Sequence, residues 1–296
     1  MNPAIVLTDV RRSFGSKAVL RGVTASALPG KVIGLLGRNG EGKTTLFKIL
    51  LDMLAADSGS VQVLGQSPDG TGSLRQSVGY VPERPAFHGF MTVGEVLAFR
   101  SSLFKGWHAG KADKLVQDLG LDPATPIRGA SKGTLGKVAW VCAAAHDPSV
   151  FLLDEPTSGL DALVREDVLN HLIGELHDGF KTLLIANHRM EELAGVLDEV
   201  WLLQGGVIRS VHPVETLRTQ ACRLTGRLKE GAVLPAGLPV VSLRTDGPVL
   251  ELVVFERSLA DMLAASGSFE SLERAPLALG ESLKYLLRLS EGGRHD

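Results

Sequence analysis

Apolar residues in this chain gather in short unbroken runs separated by stretches of helical spacing. Val32-Ile33-Gly34-Leu35-Leu36, Val150-Phe151-Leu152-Leu153 and Thr182-Leu183-Leu184-Ile185-Ala186 each have strand length. The Val150 run has no polar alternation and predicts a central parallel strand buried on both faces. Between the runs the spacing turns helical, in Thr45 to Leu51, in Leu135, Val138, Ala139, Cys142 and Ala145, and in Val164, Val168, Leu169, Leu172, Ile173 and Leu176. Strands alternating with helices predict an α/β fold. Further strands are expected at Ile5 to Leu7, Val19 to Leu20, Val61 to Gly65 and Val78 to Val81. A hairpin is expected where Glu199 to Gln204 and Val207 to Val211 flank Gly205-Gly206. From about 92 to 128 the alternation lapses into helices, opened by the capping box Thr92-Val93-Gly94-Glu95, which predicts an inserted helical subdomain. Beyond Pro213 the pattern predicts a hairpin across Asp246-Gly247-Pro248 and helices over Ser258 to Ala265 and Glu281 to Leu289.

At 296 residues the chain is long enough for one large domain and a smaller one. The 31 Lys+Arg against 33 Asp+Glu give no support for a nucleic-acid surface, and no nucleic-acid partner is expected. Cys142 and Cys222 have no metal-ligand spacing and read as small buried side chains in a reducing compartment. The amino terminus lacks a basic segment followed by a long apolar core, and no apolar run approaches the ~20 residues that cross a bilayer. The expectation is a soluble chain whose membrane role, if any, runs through a partner.

Gly37-Arg38-Asn39-Gly40-Glu41-Gly42-Lys43-Thr44 sits between a strand and a helix. That is the context a phosphate-binding P-loop requires, because glycines let several backbone N–H groups converge on one phosphate chain at the positive end of a helix. Lys43 would reach the β- and γ-phosphates, and the Thr44 hydroxyl would ligate Mg²⁺. A second feature is Asp154-Glu155 at the tip of the buried Val150 strand. Two acids there are costly unless they serve a cation, a water or a hydrogen-bond network. In a P-loop ATPase Asp154 would support Mg²⁺ and Glu155 would polarise the attacking water.

Other positions are two-sided when read alone. Phe14, in the first turn, serves core packing as readily as a site. Glu83 follows a proline at a strand's carboxyl edge, where ligands gather in parallel sheets, but an exposed loop glutamate fits equally. Ser131, heading Ser131-Lys132-Gly133-Thr134, is a plausible N-cap whose amides would attract an anion, yet such caps are common. His188, two residues past a parallel strand, could hydrogen-bond a γ-phosphate or be incidental.

The order and spacing of these stretches resemble the ATP-binding-cassette (ABC) ATPases, in particular stand-alone nucleotide-binding subunits of bacterial transporters. The resemblance covers roughly residues 4 to 211 and rests on the Walker A loop, the LLDE run, SGLD and the histidine of ANHRMEE. It implies a P-loop fold with a mostly parallel core sheet, an N-terminal antiparallel β subdomain and a helical subdomain at about 92–145. An ATPase domain at 1–211 would be followed by a small α+β accessory domain at 212–296. It implies that Phe14 stacks on adenine, that Gly37 to Thr45 hold the phosphates, and that Glu83 occupies the Q-loop position, with Thr44, Asp154 and Glu83 facing Mg²⁺. Ser131, Lys132, Gly133 and Thr134 fall on the signature, Asp161 on the D-loop, Glu155 on the water-activating acid and His188 on the switch histidine. The cofactors would be ATP and Mg²⁺. The partners would be a second copy, bound head to tail, and an integral-membrane permease at the inner face of the cell membrane.

Three positions depart from the family pattern. Ala130-Ser131-Lys132-Gly133-Thr134 stands where leucine, serine, two glycines and glutamine are usual, Glu83 replaces the usual glutamine, and Glu41 replaces the usual alanine. The first two are similar to exporters of the ABC-2 type, which favours export over import. Glu41 places a negative charge near the phosphates and is expected to weaken binding modestly. The competing functions are a soluble ABC ATPase acting on ribosomes or chromosomes, disfavoured by the single cassette and the lack of a long heptad run, and an unrelated P-loop kinase, disfavoured by the later motifs.

Overall fold

Among the described residues three strands are buried from end to end, and they set the architecture. Val32–Leu36 (β3), Val150–Asp154 (β6) and Thr182–Ala186 (β7) are buried at every position. In the computed structural model, which describes residues 2–158, 165, 170, 173–174, 180–187, 190–232, 234, 240–247 and 249–289, they are parallel neighbours in a six-stranded sheet. Val78–Val81 (β5) lies outside β6, Glu199–Gln204 (β8) joins β3 in parallel, and Val207–Pro213 (β9) closes the edge as the antiparallel arm of the expected hairpin. The register puts Leu35, Ala186 and Asp154 level across three strands, so the segments leaving β3, β6 and β7 emerge at one place.

A second, three-stranded antiparallel sheet is made by Ile5–Phe14 (β1), Lys17–Ala27 (β2) and Ser58–Val63 (β4). Both β1 and β2 run well past the short apolar stretches that mark them in the sequence. Between the sheets lies an apolar layer that includes Leu46 and Phe47 of the helix Lys43–Leu50 (α1). The other face of the six-stranded sheet is covered by the inserted helices Val93–Leu103 (α2), Ala109–Asp118 (α3) and Lys132–Ala144 (α4). The α2 start is fixed by the predicted capping box, in which Thr92 Oγ1 accepts from the Glu95 amide and the Glu95 carboxylate accepts from the Thr92 amide. Val138 to Ala144 are all buried, which suits a helix enclosed by β5 and its neighbours.

Past β9 come the helix Val214–Gln220 (α5) and a four-stranded antiparallel sheet in the order Ser242–Asp246 (β11), Val249–Val254 (β12), Cys222–Leu228 (β10), Phe269–Pro276 (β13). Arg257–Ala265 (α6) packs on one side of this sheet through Leu259, Ala260 and Leu263. The expected hairpin and both expected helices are present, whereas α5, β10 and β13 lie outside the sequence expectations. The last helix, Leu279–Leu289 (α7), returns to the large core, with Leu283 and Leu286 in the same apolar cluster as Leu193, Leu197, Val214 and Leu217. The carboxy-terminal region is therefore built into the core of the six-stranded sheet as well as forming its own sheet. Both cysteines are buried, and among the described residues no helix is long and apolar enough to cross a membrane.

Burying a leucine contributes about 1.5–3 kcal/mol, and deleting one leaves a cavity as well. Leu283 and Leu286 are each 0 % exposed, whereas Met262 on α6 is 50 % exposed. Leu286→Ala is expected to lower the unfolding free energy by about 2–5 kcal/mol, and Met262→Ala to change it by less than about 0.5 kcal/mol. Urea denaturation of the two variants checks this; equal midpoints would show that α7 is not part of the large core.

Candidate functional site

The loop 37–44 leaves β3 and turns directly into α1, whose N-cap is Gly42 in the left-handed region at φ 106°. A Cβ there would meet Leu20 Cδ2 at 2.7 Å, so only glycine allows both the turn and the packing against β2. With no side-chain cap at this helix start, the first-turn amides stay available to an anion. Lys43 comes next and is buried, its Nζ donating to Gly37 O at 2.7 Å and Arg38 O at 3.2 Å. Of its three N–H groups, two hold the loop's own shape and one remains for a ligand.

Asp154 and Glu155 arrive from the end of β6. Thr44 Oγ1 donates to Asp154 Oδ2 at 2.6 Å, which joins the start of α1 to the tip of β6. Glu155 has left the strand conformation, at φ 52°, and its amide donates to Ala186 O at 2.8 Å. A non-glycine residue held in that region costs of order 1–3 kcal/mol, a cost characteristic of sites where side-chain placement matters more than backbone comfort. Burial raises the Asp154 carboxyl above its ordinary range, partly offset by the Thr44 hydrogen bond and raised further by Glu155. Burial likewise pulls the Lys43 ammonium down, while Glu155, Asp154, Glu41 and Glu83 pull it up. Lys43 and Asp154 thus each support the other's charge against burial in a partly dry place, whereas the neighbouring Glu155 charge opposes ionisation of Asp154.

A cleft of about 280 Å³ opens over these groups. Of the residues expected from the sequence, it is lined by Arg38, Asn39, Gly40, Gly42, Lys43, Thr44, Thr45, Glu83, Asp154 and Glu155. Thr44, Asp154 and Glu83 present hard oxygens there. Among the described residues no cluster of three His, Cys, Asp or Glu side chains could hold a metal unaided. That donor set suits Mg²⁺, which takes one or two protein ligands and completes its shell with phosphate and water oxygens.

Other expected residues stand elsewhere. Phe14 is the last residue of β1 rather than part of the turn, is 49 % exposed and carries the Arg12 guanidinium 5.0 Å above its ring. Ser131 to Thr134 start α4 outside the cleft lining, where Ser131 Oγ accepts from the Thr134 amide at 3.0 Å. Ser131 and Lys132 are exposed and Gly133 and Thr134 half-buried. Gly37 and Glu41 belong to the loop but do not face the cleft, and the Glu41 carboxylate turns instead to the Gly205 amide. Asp161 and His188 lie outside the described residues. Sequence reasoning missed Val19, which lines the cleft from β2. It also missed the buried pair in which Asn187 Nδ2 donates to Thr157 Oγ1 at 3.1 Å, tying the ends of β6 and β7 together. A polar residue directly after a buried strand was the one available signal for Asn187.

Comparison with known proteins agrees with this geometry. The profile of the ABC transporter family matches residues 20–158. An uncharacterized ABC transporter ATP-binding protein of Methanocaldococcus jannaschii is 32 % identical over 217 residues, covering 72 % of this chain and 78 % of the relative. Nod factor export ATP-binding protein I of Rhizobium etli is 33 % identical, covering 69 % of this chain and 66 % of the relative. ABC transporter G family member 23 of Dictyostelium discoideum is 34 % identical over 75 % of this chain, which spans only 33 % of that longer protein. A solved ATP-binding subunit of an ABC transporter superposes with a TM-score of 0.66 at 24 % identity over 73 % of this chain and 92 % of that one. A relative matched at 32 % identity over 78 % of its length and the family profile over residues 20–158 together show that the chain belongs to the ABC transporter family as an ATP-binding, ATP-hydrolysing subunit.

Proposed function

We propose that two copies of this chain close head to tail over two ATP molecules and drive export through a separate membrane permease, on the cytoplasmic side of the cell membrane. The carrying observation is the convergence of Lys43, Thr44, Asp154 and Glu155 on one cleft. In this reading the amides of the loop and the Lys43 ammonium bind the β- and γ-phosphates. Glu155 orients the attacking water and takes its proton. Thr44 and Asp154, with Glu83 beside them, would hold Mg²⁺, which when bound would supply neutralisation of charge developing on the transferred phosphoryl group.

The position of Ser131 to Thr134 supports the dimer. They lie outside this chain's own cleft lining, and although Ser131 Oγ occupies the Thr134 amide, the exposed Ser131 and Lys132 put this helix start where an anion presented by another copy would reach it. The resemblance gives Asp161 and His188 the contacts that sense the partner and the γ-phosphate. A permease is supported by an apolar groove of about 330 Å³ lined by Pro82, Phe87, Met91, Phe99 and Arg100. Export is supported by the relative named for Nod factor export.

Glu155→Gln is expected to keep ATP affinity within about threefold and to slow turnover by about 10²-fold or more, the share typical of a general base. Single-turnover hydrolysis and size-exclusion chromatography in ATP check this, and wild-type turnover would remove Glu155 from the mechanism. Lys43→Ala is expected to weaken ATP about tenfold or more, as loss of a charge-assisted contact does; unchanged affinity in calorimetry would overturn the phosphate-cradle reading. Phe87→Asp with Phe99→Asp is expected to leave the basal ATPase rate within about twofold and to abolish co-purification of a membrane protein from native cells, since buried charge in an apolar groove is costly. Retained co-purification would place the docking surface elsewhere.

A further inference from the structure

Glu41 stands in the middle of the phosphate loop, and beyond the support its charge gives the Lys43 ammonium its carboxylate has no role in the chemistry above. Glu41 Oε2 accepts a hydrogen bond from the Gly205 amide at 2.5 Å, across 164 residues of sequence. Gly205 and Gly206 form the turn between β8 and β9. That turn is itself anchored, because Gly206 O accepts from the Arg21 amide of β2 at 2.8 Å. Two residues before Arg21, Val19 lines the nucleotide cleft. The start of the loop is seated on the same strand end: a Cβ on Gly37 would come within 2.7 Å of Leu203 O. Gly37 and Glu41 therefore both bear on the end of β8, while Lys43 ties Gly37 O and Arg38 O from the other side.

From this juxtaposition we propose that Glu41 is a positioning residue for nucleotide binding. Its carboxylate clips the crest of the loop to the β8–β9 turn and holds the loop amides in a phosphate-binding arrangement. This rests on the reading of the loop as the ATP phosphate cradle. The contact is an ionised acceptor with a backbone donor, the stronger class of hydrogen bond. It spends the carboxylate on the turn, and Glu41 is not among the residues facing the cleft. A preorganised loop binds with less ordering cost than one that must be shaped by its ligand. The competing account, in which Glu41 acts only as a negative charge near the triphosphate, predicts the opposite sign on its removal.

Glu41→Gln and Glu41→Ala separate the two, because glutamine keeps an acceptor oxygen without the charge. The clip predicts that Glu41→Ala weakens ATP by about three- to tenfold, within the range of one hydrogen bond to a charged group at a partly exposed position. It predicts that Glu41→Gln stays within about twofold and that kcat at saturating ATP changes little in either. Amide hydrogen exchange on the full-length protein without nucleotide gives the direct readout. Exchange at Gly205 is expected to accelerate several-fold in Glu41→Ala and to stay near wild type in Glu41→Gln. Tighter ATP binding in both variants, equal weakening in both, or unaltered Gly205 exchange in Glu41→Ala would each overturn the clip. Failure of the cradle itself would show separately, as unchanged ATP affinity in Lys43→Ala.

Discussion

The hydrogen bond from Thr44 to Asp154 is the contact on which the site depends, and it exists only because three buried strands keep their register. Parallel strands whose interior positions are apolar on both faces cannot slide without drawing their polar flanking segments into the core. At the carboxyl ends of these strands those segments are the polar matter of the site: the glycine loop after β3, Glu155 and Thr157 after β6, and Asn187 after β7. A one-residue slip of β6 would exchange Leu153 for Asp154 inside the sheet and separate Thr44 from its acceptor. The core thus fixes the chemistry by fixing where each strand stops.

The same arrangement explains why a lysine and two acids can be buried together. Lys43, Asp154 and Glu155 are all buried, and each would be expensive by itself. Burial pushes Lys43 toward its neutral form and Asp154 toward its protonated form, and each is opposed by the charge of the other. The net charge of the group is negative, so a triphosphate bound alone would add to an existing excess. A divalent cation among the oxygens of Thr44, Asp154 and Glu83 would offset that excess, so such a donor set and a loop of anion-facing amides are electrostatically matched.

Much of this was legible in the sequence, for a reason that also marks the limit. Strands buried on both faces print as apolar runs, and a loop whose backbone does the binding prints as glycines at fixed spacing. The antiparallel parts print poorly. In β1 the chain shifts register after Leu7 and again after Val10, with Asp9 at φ 48°, so its alternation breaks and Arg11 and Arg12 hide a ten-residue strand. In β13 a register shift against Leu228 sets Phe269 and Leu272 on the same apolar side, three apart, a spacing that imitates a helix. The link from Glu41 to Gly205 has no sequence signal, since neither residue is apolar or periodic and only the folded sheet brings them together.

The carboxy-terminal region belongs to the same chain of constraints. The 3-10 turn Met190–Leu193 lies only a few residues beyond Asn187, and its Met190 Sδ would stand 3.0 Å from a Cβ placed on Gly34 of β3. Its outer side is covered by α7, where a Cβ on Gly280 would stand 3.4 Å from Glu191 Cβ, and by α5, whose Arg218 Nη2 donates to Ala194 O at 2.7 Å. A chain ending at Pro213 would lack both helices and leave the apolar side of that turn facing water. The turn Met190–Leu193 is thus gripped between β3 and α7, so the carboxy-terminal region bears on the cleft through packing, and among its described residues none lines that cleft.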